Sequence, residues 1–88
     1  MQIKLTLNDK KISIVLSKEL EQLDKIMWID KNDLLEKFFD NLEKILRDNK
    51  CDIDDISNFD LESNVSNKYT TARIAKTLID TLRFASKM

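Results

Sequence analysis

The chain has 88 residues, of which 35% are charged, with 15 basic and 16 acidic side chains and no glycine, proline or histidine. This length fits a single domain, residues 1–88, and the balanced charge argues against the clustered positive field of a nucleic-acid-binding protein. One cysteine excludes an internal disulfide framework, and without histidine it argues against a zinc site. No apolar run is long enough for a signal peptide or a membrane span, so we expect a soluble, cytoplasmic protein.

The first two segments of the chain predict a β-hairpin. Apolar and polar residues alternate over 2–8 and again over 11–17, which is the pattern of half-buried strands. Residues 8–10, "NDK", predict the turn between them, because Asn and Asp tolerate the backbone angles of a turn that lacks glycine.

A third apolar run at 24–29, "DKIMWI", predicts a third strand. The preceding residues 18–23 fit either a loop or a widened hairpin. We interpret Trp28 on this strand as a core residue and not as an exposed anchor.

Beyond Asp30 the apolar period changes from two residues to that of a helix, which we predict over 31–49. Asp30 or Asn32 is expected to cap its start, because a short polar oxygen can accept an unpaired amide of the first turn. The apolar residues span an arc of roughly 140° on the helix. They are Leu34, Leu35, Phe38, Phe39, Leu42, Ile45 and Leu46.

Residues 51–58 are predicted to connect this helix to the next strand. Asp52, Asp54 and Asp55 offer three carboxylates for a metal, but the segment lacks the glycine and distal glutamate of a calcium loop. We therefore interpret it as a solvated turn whose side chains cap the local backbone.

The last segments predict a short strand over 58–63 and a second helix over 68–86. The apolar stripe of this helix spans roughly 160°, and Arg73 lies opposite its centre. The order is therefore β-β-β-α-β-α, in which a helical crossover joins two parallel strands. Polar residues on the alternate faces of the strands predict one solvated face. The expected fold is a two-layer α/β domain with a mixed four-stranded sheet and both helices on one face.

The segment "KYTTARIAKTLIDTLRFA" resembles a motif of the TsaB (YeaZ) family, Gly-Pro-Gly-Ser-Phe-Thr-Gly-x-Arg-Ile-Gly followed by an alanine-rich helix. In register, Tyr69 stands at the phenylalanine, Thr70 at the threonine, Arg73 at the arginine and Ile74 at the isoleucine. The upstream segment "LLEKFFDNLEKILRDNKCDIDDISNFDL" is similar to the family's first helix, connection and fourth strand. The resemblance implies half of an actin-like, RNase H-like N-terminal domain. It covers nearly all of this chain but less than half of a full family member.

The resemblance implies a non-catalytic partner of the TsaD-type enzyme that makes threonylcarbamoyladenosine on tRNA. An actin-like nucleotide site lies between two such domains, so we expect no ATP and no other cofactor here. The motif glycines are also replaced, which removes the close backbone approach that glycine allows. The replacements are Val65, Asn67, Thr71 and Ala75 for glycine and Ser66 for proline.

Both predicted helices have apolar stripes wide enough to leave part of their surface for a partner. In the resembling family these helices pair with another subunit as a helix bundle, and small residues would allow a close approach. The predicted interface comprises Leu35, Phe38, Phe39, Leu42, Tyr69, Ala72, Arg73, Ala75, Ile79 and Leu82. Three alternatives remain: a core that uses both stripes fully, a homodimer through the same helices, and pairing of another chain with the edge of the fourth strand.

An enzyme with RNase H-like chemistry is the remaining hypothesis, because Asp60 and Glu62 share one face of a strand. Such chemistry needs several converging carboxylates around metal ions, and the first strand offers none on that face. Cys51 has no histidine to activate it. We therefore expect no catalytic residue, no metal, no direct nucleic-acid contact and no membrane contact. Arg73 is interpreted either as solvated or locally paired, or as a polar contact to the partner.

Overall fold

The computed structural model describes residues 1–66 and 69–86 as a four-stranded mixed sheet with two α-helices packed on one face. The predicted α/β fold class and element order are confirmed. Asn67 and Lys68, the latter predicted to begin the second helix, lie outside the described residues. The elements are β1 (Gln2–Asn8), β2 (Lys11–Lys18), β3 (Glu21–Ile29), α1 (Leu34–Asp48), a 3-10 turn (Ile53–Asp55), β4 (Asn58–Ser63) and α2 (Thr70–Ser86).

The strands lie in the order β3-β2-β1-β4, so the first and fourth strands are neighbours. β2 pairs antiparallel with both β1 and β3, whereas β4 pairs parallel with β1. The predicted parallel pair, joined through α1, is confirmed. β1 is thus the central strand, and Ile3 lies opposite Leu16 on one side and Phe59 on the other.

The hydrophobic core lies between the sheet and the helices. Alternate residues of β1 and β2 are almost fully buried, which is the period-two pattern that predicted these strands. α1 packs over β2 and β3, and α2 packs mainly over β4. The largest fully buried side chains are Phe38, Phe59, Ile3, Leu5, Leu7, Ile12, Ile14, Leu16, Ile45 and Ile79.

The connection between β2 and β3 is a two-residue hairpin turn, so the prediction of a third strand limited to 24–29 was too short. Glu19 and Leu20 both have positive φ, 52° and 71°, as in the turns that match the twist of a hairpin. Neither residue type favours this conformation, which is why the sequence carried no turn signal here. A register irregularity at Leu16 and Ser17 then aligns the longer β3 with β2.

The helix α1 begins later than predicted, and the two predicted caps are wrong. Asn32 has φ 63°, outside the helical range, and its amide donates to Asp30 Oδ1 at 3.0 Å. This local turn holds residues 30–32 out of the helix, so Asp33 is the N-cap residue and Leu34 the first helical residue. Asp30 has a second function: Thr71 Oγ1 donates to its Oδ2 at 2.9 Å and so ties the start of α2 to the end of β3.

The end of α1 is a Schellman turn built without glycine. The amide of Cys51 donates to the carbonyl of Leu46 at 2.8 Å and that of Lys50 to the carbonyl of Arg47 at 3.1 Å. Lys50 occupies the left-handed position, with φ 55°, where glycine is the usual residue.

The face of the sheet away from the helices is polar over most of its area, in line with the predicted solvated face. Lys4 Nζ lies 2.6 Å from Glu62 Oε2 across the parallel pair, and both side chains are about half exposed or more. Ser13 is an exception, since neighbouring side chains leave it only 8% exposed. Met27 and Ile29 on β3 are exposed apolar residues of this face.

A salt bridge along α1 gives this helix a testable dependence on pH. Lys44 Nζ lies 2.6 Å from Asp48 Oδ2, and the hydrogen bond lowers the pKa of Asp48 below its usual range. The stabilisation is therefore present above the pKa of the unfolded chain and is lost as the pH falls through the folded pKa. We expect Lys44→Gln to return the pKa of Asp48 toward its usual range. An NMR titration of the Asp48 carboxyl carbon would show this, and an unchanged titration in the variant would contradict it.

Candidate interaction surface on the helical layer

The outer side of α1 presents two large apolar side chains to solvent. Leu35 is 48% exposed and Phe39 is 50% exposed, and their spacing of four residues places them one turn apart on one side of the helix. The ring of Phe39 meets the buried ring of Phe38 edge to face, with centroids 5.4 Å apart. Because Phe38 is fixed in the core, this contact favours one orientation for Phe39.

A groove of about 380 Å³ runs beside Leu35, between α1 and α2. Its lining is mostly apolar, and Thr77 and Thr81 are the two threonines that contribute to it. The lining residues are Leu35, Arg73, Ile74, Thr77, Leu78 and Thr81.

A second hollow, of about 530 Å³, lies on the other side of Phe39, between α1 and the 3-10 turn. Ile53 in this turn is 41% exposed and faces it. Glu43 and Arg47 form its charged rim, with 3.9 Å between their closest charged atoms. We call the two hollows and the side chains between them the helical surface, defined by Leu35, Phe39, Ile53, Arg73 and Thr77.

The predicted interface residues divide between the helical surface and the core. Leu35, Phe39, Tyr69 and Arg73 are exposed, and Leu82 is half-buried against the core. The other five are at most 5% exposed and belong to the core, although Leu42 also lines the second hollow. These five are Phe38, Leu42, Ala72, Ala75 and Ile79.

Ala72 and Ala75 were predicted to let a second chain approach closely. Both are instead covered within this chain, at 2% and 0% exposure. Their small size allows α2 to lie close to its own sheet and to α1. Tyr69, by contrast, is 64% exposed at the start of α2, and its carbonyl accepts the amide of Arg73.

The loop before α2 is held by polar contacts of its own side chains. Asn64 Nδ2 donates to Asn8 Oδ1 at 2.7 Å, and Asn64 Oδ1 accepts the amide of Asp9 at 3.2 Å. Ser63 Oγ accepts the amide of Val65 at 3.0 Å. These bonds join the loop to the turn between β1 and β2, so its side chains have a structural role.

Most of the carboxylates that a metal or a nuclease site would use are engaged in structural contacts. Asp52 and Asp55 form a capping box on the 3-10 turn, which confirms the interpretation of this segment as a locally capped turn. Asp60 accepts from Arg83 at 2.9 Å and from Asn58 Nδ2 at 2.9 Å. Over residues 1–66 and 69–86 there is no group of three or more Cys, Asp or Glu side chains placed to hold a metal ion.

Two features of this surface were absent from the sequence prediction. Ile53 was assigned to a polar connection, although the pair Asp52 and Asp55 was a signal for a capped turn that fixes its orientation. The two threonines of the groove, Thr77 and Thr81, could not be recognised from the sequence, because a solvated helix face often carries threonine.

Within the described part of the chain, neither helix is long and apolar enough to cross a membrane. Cys51 is half-buried near the end of α1, where its Sγ donates to the carbonyl of Asn49 at 3.3 Å. No protein-family model, no curated protein and no solved structure matches this chain.

Proposed function

We propose that this chain is a non-catalytic binding module resembling TsaB, which supports a TsaD-type enzyme in forming threonylcarbamoyladenosine on tRNA. The observation that carries the proposal is the motif register at Tyr69, Thr70, Arg73 and Ile74 on a helix that follows the β-β-β-α-β core. A cytoplasmic location accompanies this proposal, because the enzyme acts on tRNA and the lone cysteine needs no oxidising compartment.

The helical surface supplies the type of side chains that anchor a protein partner. Exposed aromatic and arginine side chains beside an apolar groove are the groups that contribute most to protein interfaces. Phe39 is the aromatic anchor of this surface, and Arg73 lines the groove between the helices. Tyr69, outside the two hollows, is a second exposed aromatic side chain at the start of α2. Leu35 and Ile53 extend the apolar contact on both sides of Phe39.

The altered loop agrees with a binding role in which no ligand is held. Thr71 stands where the motif has glycine, and its hydroxyl donates to Asp30 at 2.9 Å. A side chain at that position fills space that a glycine would leave to a ligand and uses it to attach α2 to the sheet.

Co-purification with the TsaD-type subunit of the same organism tests the proposal. We expect a complex by light scattering at micromolar concentration, and we expect Phe39→Glu to weaken it by at least about tenfold, because a charge would be buried in the apolar contact. Leu20→Glu is the matched control, since Leu20 is fully exposed in the β2–β3 turn and lines a hollow on the face of the sheet opposite the helices. The proposal fails if no complex forms.

A helix-mediated homodimer is the alternative, and the spacing of Leu35 and Phe39 favours it. Two apolar side chains one turn apart can pack against the same pair of an antiparallel second copy. The chain alone would then form a dimer that Phe39→Glu disrupts, and the dimer would not bind the TsaD-type subunit.

A further inference from the structure

The outer edge of β3 is the longest open strand edge among the described residues. β3 has nine residues and ends the sheet, with β2 on its inner side and no described strand beyond it. A strand edge of this kind presents unpaired N–H and C=O groups that can pair with another chain.

The register identifies which backbone groups of β3 point outward. The amide of Asp30 donates to the carbonyl of Lys10 at 2.7 Å, which continues the pairing of β2 with β3. Because hydrogen-bonded and non-bonded pairs alternate in an antiparallel ladder, the even-numbered residues of β3 bond β2. Lys25, Met27 and Ile29 therefore direct their N–H and C=O groups to the open edge.

The opposite edge of the sheet is covered in part. The amide of Asn64 donates to the carbonyl of Leu7, so the even-numbered residues of β4 bond β1. Successive residues of a strand direct their backbone groups to opposite sides, so the Phe59 carbonyl points away from β1. Arg83 Nε donates to this carbonyl, and its Nη2 donates to Asp60 at 2.9 Å. A side chain from α2 thus caps the Phe59 carbonyl on the β4 edge. Among residues 1–66 and 69–86, no side chain makes such a bond to the backbone of Met27 or Ile29.

The side chains along β3 are suited to pairing. Met27 and Ile29 are 58% and 52% exposed on the open face of the sheet, and Ile26 and Trp28 are half-buried on the helical face. Edge strands that avoid association carry inward charges, proline or several lysines. Within residues 25–29 the only residue of these types is Lys25.

We propose that two copies of this chain pair through β3 in an antiparallel, two-fold arrangement that joins their sheets into one of eight strands. With Met27 opposite Met27 of the second copy, Lys25 faces Ile29 on the open side and Ile26 faces Trp28 on the helical side. No like charges oppose each other within this span, and the outward groups form about six hydrogen bonds.

The helices do not obstruct this pairing. α1 lies over β2 and β3, and adjacent strands are about 4.8 Å apart, so the two α1 helices come to lie about 10 Å from each other. That separation is the normal distance of packed helices. The helical surface faces away from the sheet, so this dimer leaves it accessible and is independent of the proposed function.

The side chain of Asp24 competes with a second chain for one backbone group of the β3 edge. Its Oδ1 accepts the outward amide of Lys25 at 2.8 Å, and Asn49 Nδ2 holds its other oxygen at 2.9 Å. Pairing at the ends of the span requires Asp24 to release this amide, whereas the central Met27 pair requires no rearrangement. The dimer is therefore expected to be in concentration-dependent equilibrium with the monomer.

Sedimentation equilibrium over a micromolar to high-micromolar range tests the proposal with two kinds of variant. Met27→Pro removes an outward N–H that the monomer does not use, and proline is accepted at such edge positions. Ile29→Lys places a second lysine opposite Lys25 of the other copy, and Ile29→Glu places an opposite charge there. We expect dimerisation of the native chain, loss of at least about tenfold in affinity for Met27→Pro and Ile29→Lys, and retained affinity for Ile29→Glu.

Circular dichroism of each variant establishes that the monomer remains folded, and Phe39→Glu separates the two possible dimers. Edge pairing predicts that Phe39→Glu still dimerises. A native chain that stays monomeric throughout the range overturns the proposal. So does a dimer that Phe39→Glu abolishes while the folded Met27→Pro and Ile29→Lys variants leave it unchanged.

Discussion

Replacing Phe38 with alanine is expected to lower the free energy of unfolding by about 3–5 kcal/mol, the usual cost of removing a buried phenylalanine. Phe38 is fully buried and is one of the two largest side chains in the core. A domain of 88 residues has a total stability of about 4–13 kcal/mol, so this loss removes between roughly a quarter and all of it. Urea denaturation followed by circular dichroism measures the change.

Phe39→Ala is the matched control, because the two residues are adjacent and chemically identical. Phe39 is half exposed, so its removal loses about half of the burial and the edge-to-face contact with Phe38. We expect a loss of roughly 1–2 kcal/mol. Equal losses for the two variants would contradict the orientation of α1 on the sheet.

This pair of residues also shows how far the sequence predicts the core. The helical period placed both Phe38 and Phe39 in one apolar arc of α1, and the arc correctly identified the side of the helix that faces the sheet. It could not identify which edge of the arc stays in solvent, because that depends on the position of α2. The groove between the helices, lined by Leu35 and Ile74, exists only once the two helices are placed together.

Two boundaries that the sequence missed, the start of β3 and the start of α1, lie beside residues with positive φ. Leu20 in the β2–β3 turn and Asn32 before α1 adopt left-handed conformations in a chain without glycine. Asn32 belongs to a residue type that tolerates this conformation, but Leu20 does not. A sequence pattern can predict the strands on both sides of such a turn, whereas the tertiary pairing of β2 and β3 determines the turn itself.

The same limit applies to the predicted interface. Ala72 and Ala75 were assigned to a partner because small residues allow helices to approach. Within one chain the same small residues allow α2 to pack on its own sheet, and the sequence pattern is identical in the two cases. Phe39 remains partly on the surface because it lies at the edge of the apolar arc of α1, and Arg73 because it lies opposite the buried face of α2.

Arg83→Met is expected to have two effects that can be measured separately. Methionine keeps much of the aliphatic stem but removes the hydrogen bonds to the Phe59 carbonyl and to Asp60. Hydrogen bonds to a charged group are worth about 1.5–3 kcal/mol when buried. Because the side chain of Arg83 is 42% exposed, solvent screening reduces the expected loss to about 1–2 kcal/mol. A double-mutant cycle with Asp60→Asn isolates the contribution of the ion pair, and additive losses would show that the pair contributes nothing.

The second effect of Arg83→Met is on association, because it uncovers the β4 edge. A molecule with one open edge forms a closed two-fold dimer, whereas one with two different open edges adds further copies without limit. The native chain is therefore expected to stop at the dimer, and Arg83→Met is expected to form larger assemblies that scatter light as its concentration rises. Adding Met27→Pro to this variant closes the β3 edge again and should limit growth to small species. Growth that continues in the double variant would mean that the assemblies do not depend on β3, which would contradict their formation by pairing of the β3 and β4 edges.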